Sequence, residues 1–171
     1  MANANTVYRA KKAAQLAAPT SASTFVTSDS SSVAAAVYFP IVPSNSGARM
    51  FRIRASGYAT TTGSNNVTPI LQLGTSVTSA SNTTFAAGTA RAVATTTGVW
   101  YLEATLVYNP TSTLLKGHFT CLNGSTAVLD AQAVTTSVTA DLSVAGVGVT
   151  CACTVATGGT ANLTELCLEV L

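Results

Sequence analysis

The chain has 171 residues, of which only 8% are charged, while 29 are threonine and 17 are serine. The net charge of +2 is too small for the concentrated basic face that nucleic-acid binding requires, and no run approaches the length of a membrane span. Threonine's branched Cβ suits a pleated sheet. The abundance of threonine therefore indicates an all-β protein. Because hydroxyl and methyl groups must cover most of its weakly charged surface, we expect the protein to pack against other subunits.

Residues 1–24 are predicted to form an N-terminal arm. They contain three of the eight basic residues, Arg9, Lys11 and Lys12, and the apolar stretch that follows is too weak for a secretory signal. Residues 7–18 have the weak apolar side of a short helix, and a helix of this length needs a partner surface to be stable. We expect the arm to dock on a neighbouring subunit, and the alternative is a frayed terminus.

Residues 25–171 are predicted to form one domain of strands separated by turns. In chain order, the expected strands are Phe25–Val26, Val33–Phe39, Met50–Tyr58, Ile70–Leu73, Ala92–Thr95, Val99–Tyr108, Leu115–Leu122, Thr126–Gln132, Leu142–Val155 and Ala161–Leu171. Residues 75–90 are mostly Ser, Thr, Ala and Asn, so we expect a surface loop with at most a short strand. Asn123-Gly124 is a hairpin signal, because both residues tolerate the positive φ of a type I′ turn.

Two strands alternate clearly between apolar and polar side chains. In Met50–Tyr58 the apolar side chains share one face, Phe51, Ile53 and Ala55, and the polar ones share the other, Arg52, Arg54 and Ser56. In Val99–Tyr108 one face carries Trp100, Leu102, Ala104, Leu106 and Tyr108. About eight to ten short strands without a long amphipathic helix predict an antiparallel β-sandwich, best described as a jelly roll.

No cluster of residues predicts catalysis. His118 is the single imidazole and is expected on an outward strand face, with Cys121 on the opposite face, so the two cannot form a nucleophile–base pair. Glu165 and Glu169 are about 13 Å apart by strand rise, which is too far for a carboxylate pair. We therefore expect no enzyme.

The four cysteines, Cys121, Cys151, Cys153 and Cys167, are expected to be reduced and to serve as small buried hydrophobes. A single histidine leaves no convincing ligand set for a metal. No glycine-rich phosphate or dinucleotide loop is present in the sequence. We therefore expect no metal and no cofactor.

Arg49, Arg52 and Arg54 form the densest basic patch of the domain. Single-stranded nucleic acid would require aromatic side chains between the charges, but Phe51 and Ile53 are predicted to point the other way, into the core. We interpret these arginines as a patch that forms ion pairs between subunits, and we also expect Arg9, Lys11 and Lys12 of the arm to be interface residues.

Three segments have the character of virion structural proteins from tailed bacteriophages: Phe51–Gly57, Thr68–Gly74 and Trp100–Leu106. Within that group the chain resembles the small jelly-roll decoration, or cement, proteins of phage heads. The resemblance implies a protein made in the host cytoplasm that caps the capsid exterior. Its partners would be the major capsid protein and copies of itself in a homotrimer, and it would carry no catalytic residues.

Three other functions stay open. A tail or receptor-binding virion subunit would be favoured by exposed loop aromatics, for which Tyr58 and Phe85 are the candidates. A shell-forming coat protein would use its arm to contact nucleic acid, but such arms usually carry a denser block of charge. A carbohydrate-binding β-sandwich module is the alternative from outside the virion class.

Overall fold

The computed structural model describes residues 7–9, 16–17, 23–24, 36–60, 66–74, 82–87, 91–92, 97–123, 128–155 and 159–171. Every regular element in these ranges is a β-strand. The strands are β1 (Val7–Arg9), β2 (Leu16–Ala17), β3 (Ser23–Thr24), β4 (Ala36–Tyr38), β5 (Arg49–Thr60), β6 (Asn66–Gly74), β7 (Thr83–Ala87), β8 (Arg91–Ala92), β9 (Thr97–Asn109), β10 (Leu114–Asn123), β11 (Val128–Thr139), β12 (Gly148–Val155) and β13 (Thr160–Val170).

The strands form two antiparallel sheets around one core. The larger sheet has the order β1-β13-β5-β9-β10-β11, and β2 also pairs with β13. The smaller sheet has the order β3-β12-β6-β7, with β4 pairing with β12 and β8 with β6. Side chains from both sheets pack in a single hydrophobic cluster. The predicted antiparallel β-sandwich is confirmed.

The chain crosses between the sheets as a paired ribbon. In the larger sheet β5 pairs with β13. In the smaller sheet β6, which follows β5 in the chain, pairs with β12, which precedes β13. Such wrapping of an antiparallel pair around a common core is characteristic of jelly rolls. The meander β9-β10-β11 then completes the larger sheet.

The alternation of β5 and β9 explains why these strands lie at the centre of the larger sheet. Their apolar faces supply several of the largest fully buried side chains, among them Phe51, Trp100 and Tyr108. The Tyr108 hydroxyl accepts a hydrogen bond from the Leu142 backbone N–H at 3.1 Å, so this phenol ties the core to the following turn. Phe39 packs edge-on against Phe51, with ring centroids 5.0 Å apart.

The predicted helix over residues 7–18 is wrong for the part that the structure describes. Val7–Arg9 and Leu16–Ala17 are strands that pair with β13 of the same chain. A short alanine-rich segment gains little from helix formation in water, whereas a sheet edge offers it backbone partners. The docking of the arm on a neighbouring subunit stays a prediction.

Two other expectations need correction. The predicted strand Leu142–Val155 begins only at Gly148, because residues 142–146 form turns in which Gly146 has a φ of +95°. Phe85, expected in a loop, is buried in β7. The expected strand Phe25–Val26 and the turn at Gly124 lie outside the described residues.

Candidate functional site

The most distinctive surface is the outer face of the larger sheet, formed by the side chains of β13, β5, β9 and β10 that point away from the core. It carries three of the eight basic residues and three of the six acidic ones: Arg52, Arg54, Lys116, Glu103, Glu165 and Glu169. The charges follow the strands, so that β13 is acidic, β5 basic, β9 acidic and β10 basic. The ions of this face therefore sum to zero.

The first contact on this face joins β5 to β13. Arg52 is the register partner of Glu169, and its Nη1 lies 3.4 Å from the Glu169 Oε2. The two side chains are 38% and 13% exposed, so the pair is partly shielded from water. A charge that already has a partner within its own chain is less costly to cover than an isolated one.

Arg54 occupies the centre of the outer face. Its register partners are Cys167 on β13 and Glu103 on β9. Burial raises the pKa of the Cys167 thiol, Glu165 adds to the rise and Arg54 opposes it, so the thiol is protonated at neutral pH. The arginine is thus set among two carboxylates and a neutral thiol.

Tyr101 and Glu103 lie two residues apart on the same side of β9, where period-two alternation places them together. The Tyr101 hydroxyl donates a hydrogen bond of 2.6 Å to the Glu103 Oε2. Burial, followed by this hydrogen bond, raises the pKa of Tyr101 to about 12. The contact fixes both side chains in one arrangement on the surface.

Each end of the outer face carries a pair of exposed apolar side chains, and at one end Lys116 lies beside that pair in register. At one end Met50 is the register partner of Val107, and the two are 43% and 42% exposed. At the other end Tyr58 is the partner of Val99, and these are 44% and 68% exposed. A groove of about 330 Å³ opens there, lined by Tyr58, Val99, Tyr101, Leu122 and neighbouring residues.

The structure brings together some of the sequence-predicted interface residues. Arg52 and Arg54 share the outer face, whereas Arg49 is exposed at the start of β5. Arg9 belongs to β1 and is described there by its backbone alone, and Lys11 and Lys12 lie outside the described residues. Their role in an interface stays a prediction.

Sequence reasoning missed the apolar ends of this face. The signal was present in the alternation of β9: if Trp100 and Leu102 point inward, Val99 and Tyr101 must point outward. It was overlooked because a strand pattern shows which side a residue takes but not which residues of a neighbouring strand lie beside it. The pairing of Val99 with Tyr58 requires the register between β5 and β9.

Residues capable of chemistry are dispersed in the described part of the chain. His118 is exposed on the outward side of β10, as predicted, and the four cysteines are free and buried. No group of three His, Cys, Asp or Glu side chains in the described ranges could hold a metal ion. None of the described residues forms a helix long and apolar enough to cross a membrane.

No protein-family model and no curated protein matches the sequence. Among solved structures the chain is similar to lectin I from Ulex europaeus in complex with the methyl glycoside of α-L-fucose (10% identity, 97% of this chain and 98% of that chain covered, TM-score 0.43). It is also similar to arcelin-5, a lectin-like defense protein from Phaseolus vulgaris (11%, 98% and 98%, 0.41), and to winged bean acidic lectin complexed with methyl-α-D-galactose (11%, 98% and 98%, 0.38). With TM-scores below 0.5, these likenesses carry no conclusion about ligands.

Proposed function

We propose that the protein is a structural component of a bacteriophage virion, a capsid decoration or cement protein that binds the outer capsid lattice and stabilises it. The observation that carries the proposal is the outer face of the larger sheet, where paired ions lie between two exposed apolar ends. Charged groups without partners resist burial, whereas paired ions and apolar surface are more readily covered by another protein. The resemblance of the sequence to phage virion proteins supplies the biological setting.

The proposed mechanism is mechanical and involves no catalysis. Each copy covers part of its low-charge surface against the major capsid protein and against copies of itself, in the homotrimer that the resemblance implies. Contacts of this kind are individually modest. Repeated over a symmetric shell and linked within an oligomer, they add to a large effective affinity.

The proposal is tested on shells of the phage that encodes the chain, stripped of this protein. Purified protein should co-sediment with the shells, saturate at a fixed number of copies and raise the temperature at which the shells open. Val107→Glu should weaken attachment at least about tenfold, since it replaces an exposed apolar contact group of the outer face with a hydrated carboxylate beside Lys116. Ile41→Glu is the matched control, because Ile41 is 58% exposed outside this face. Failure of the wild-type protein to saturate the shells contradicts the proposal.

The groove beside Tyr58 favours a second candidate function, the binding of carbohydrate. The exposed Tyr58 ring adjoins the groove, and Tyr101, held by Glu103, lines it. Aromatic rings offer an apolar surface with a polar tip, which suits ligands that present both kinds of group. On a glycan array and in calorimetry, Tyr58→Ala should lose binding while Tyr38→Ala retains it, because Tyr38 is similarly exposed on the other sheet. Absence of glycan binding by the wild-type protein removes this candidate.

A further inference from the structure

The charged side chains of the outer face lie in columns, one column along each strand, and neighbouring columns have opposite charge. Across β13, β5, β9 and β10 the signs run acidic, basic, acidic, basic, with Lys116 and His118 on the last strand. Adjacent strands lie about 4.8 Å apart, so columns of opposite sign alternate over a width of about 19 Å. This order has a consequence for how the face can meet a copy of itself.

We propose that this face binds the same face of a second copy around a two-fold axis parallel to the strands. The proposal rests on the proposed function in taking this face as an assembly surface, and it names the partner. Rotation about such an axis places β13 opposite β10 of the second copy, and β5 opposite β9. Every acidic column then faces a basic one. A two-fold axis in the same plane but perpendicular to the strands would place each column on itself, with like charges opposed.

The match extends to individual residues. The axis exchanges β5 and β9 without shifting them along the strands, so register partners within one chain also become partners between chains. Arg54 therefore faces Glu103 of the second copy. At the apolar ends Tyr58 faces Val99 and Met50 faces Val107, so apolar groups meet apolar groups.

The outermost columns are complementary in one row. Glu169 shares a row with Arg52, Thr105 and His118, so the rotation places Glu169 opposite His118. The other rows of these columns are not matched by charge, because Cys167 faces Thr120, Glu165 faces Leu122 and Lys116 has no carboxylate opposite it. Sheets that pack face to face keep their strands within about 30° of one another and lie about 10 Å apart. Arginine and glutamate reaching from both sides span that gap.

The expected contact is reversible. The face measures about 19 Å by 27 Å along the strands, which places it at the small end of specific interfaces. A contact across a two-fold axis joins two identical units, so it gives dimers from single copies or hexamers from trimers. The molecular mass of the wild-type protein in solution should therefore rise with concentration until it is twice the mass of a variant that cannot form the contact.

Complementary charge reversal tests the proposal. In Arg54→Glu alone, two carboxylates oppose each other across the axis, and in Glu103→Arg alone, two guanidinium groups do. Each variant should have half the wild-type mass in light scattering and sedimentation. A 1:1 mixture should regain the full mass, because in the mixed pair both contacts join opposite charges. Mixing leaves the neighbours within each chain unchanged, so this rescue reports the contact between chains.

Two further variants keep the result interpretable. Asp141→Lys reverses an exposed charge just before the turns of residues 142–146, outside the outer face, and should keep the wild-type mass. Val99→Glu alters the most exposed apolar position of the face and should halve the mass without relying on the arginine. If a charge-reversal variant does not fold, as judged by circular dichroism and thermal melting, Val99→Glu decides the question.

The proposal is overturned if the wild-type protein has the same mass as Val99→Glu at every concentration, or if the folded charge-reversal variants do not recover mass on mixing. Attachment to phage shells is measured separately. Protein that pairs but attaches to no shell contradicts the proposed function alone. Protein that saturates shells yet never pairs contradicts this inference alone.

Discussion

The two sheets of the sandwich differ in what lies on their outer sides. On the smaller sheet, Thr150 and Ala152 of β12 point away from the core, yet they are 1% and 0% exposed. On the larger sheet, the outer face leaves Tyr58, Val99 and Val107 substantially exposed. The smaller sheet is therefore covered on both sides along the centre of β12, although Tyr38 of β4 stays exposed, whereas these three side chains of the larger sheet's outer face are open to solvent. The exposed outer face of the larger sheet is therefore the surface that a partner can cover.

The distribution of charge follows this difference. The central strands of the smaller sheet, β6 and β12, contain no Asp, Glu, Lys or Arg. The buried Thr150 hydroxyl of β12 has a hydrogen-bond partner within the chain, because its Oγ1 accepts a hydrogen bond from the Asn82 Nδ2 at 3.3 Å. The larger sheet carries six charged side chains on its outer face. Because burial of a charge without a partner is costly, ions concentrate on the sheet that retains a solvent-exposed side.

The largest expected effect on stability comes from comparing two single variants, each with a new aspartate on the outer side of one sheet. Ala152→Asp places a charge in a buried site and should destabilise the fold by about 4 kcal/mol or more. Thr105→Asp places it on the outer face, between Arg52 and His118 in register, and should change stability by less than about 0.5 kcal/mol. Urea denaturation of both variants measures the difference. Similar losses would show that the two sides do not differ as described.

A smaller but still large effect is expected from Gly57→Ala in β5. A Cβ at this position would meet the Asn162 carbonyl oxygen and lie 2.6 Å from the Trp100 Cζ2. The clash should cost about 2–3 kcal/mol, because overpacking forces backbone and ring to shift. Gly47→Ala is the control, since a Cβ there meets nothing within 4 Å. Equal melting temperatures for the two variants would contradict the tight packing of the larger sheet on its core.

A double-mutant cycle on Arg52 and Glu169 measures how strongly the ions of the outer face are paired. The expected coupling is about 0.5–1 kcal/mol, as for partly exposed pairs. It should shrink in about 1 M salt, where charges are screened within about 3 Å. Denaturation of the wild-type protein, Arg52→Ala, Glu169→Ala and the double variant supplies the four values. A coupling of zero at low salt would mean that the ions do not stabilise one another.

The smallest effect concerns the alkaline stability of the same face. The folded chain retains the Tyr101 proton up to a pKa of about 12, whereas the unfolded chain releases it near the ordinary value of 10.0. This contribution to stability is complete below pH 10 and declines as the pH rises towards 12. Tyr101→Phe should therefore lose less stability over that window than the wild-type protein. Parallel loss in both proteins, or a Tyr101 phenolate absorbance that appears near pH 10, would contradict the partly buried Tyr101–Glu103 contact.

Much of the fold could be predicted from local patterns. The alternation in β5 and β9 predicts which side chains are buried, since Phe51 and Trp100 must share the side that excludes Arg52. The turns around Gly146 fall where a bend within a longer strand was predicted, because Val144, Val147 and Val149 continue an apolar pattern that resembles a strand. The glycine's positive φ is visible only in the folded chain.

The candidate site was harder to predict because it depends on register. The sequence indicates that Arg54 and Glu103 each point outward but not that they are neighbours, and two strands can pair in many registers. The alternating columns of charge and the two apolar ends exist only once four strands are aligned. The covered outer side of β12 is likewise a property of the assembled chain, since its period-two pattern alone predicts one exposed side.

The most direct test of the account is oxidative footprinting of the protein in its assembled and dispersed states. If the outer face of the larger sheet is the assembly surface, Met50, Tyr58 and Val99 should be protected on assembly, while Tyr38 and Ile41, exposed elsewhere, should react equally in both states. Protection of Tyr38 and Ile41 with no change at Met50, Tyr58 and Val99 would contradict the account.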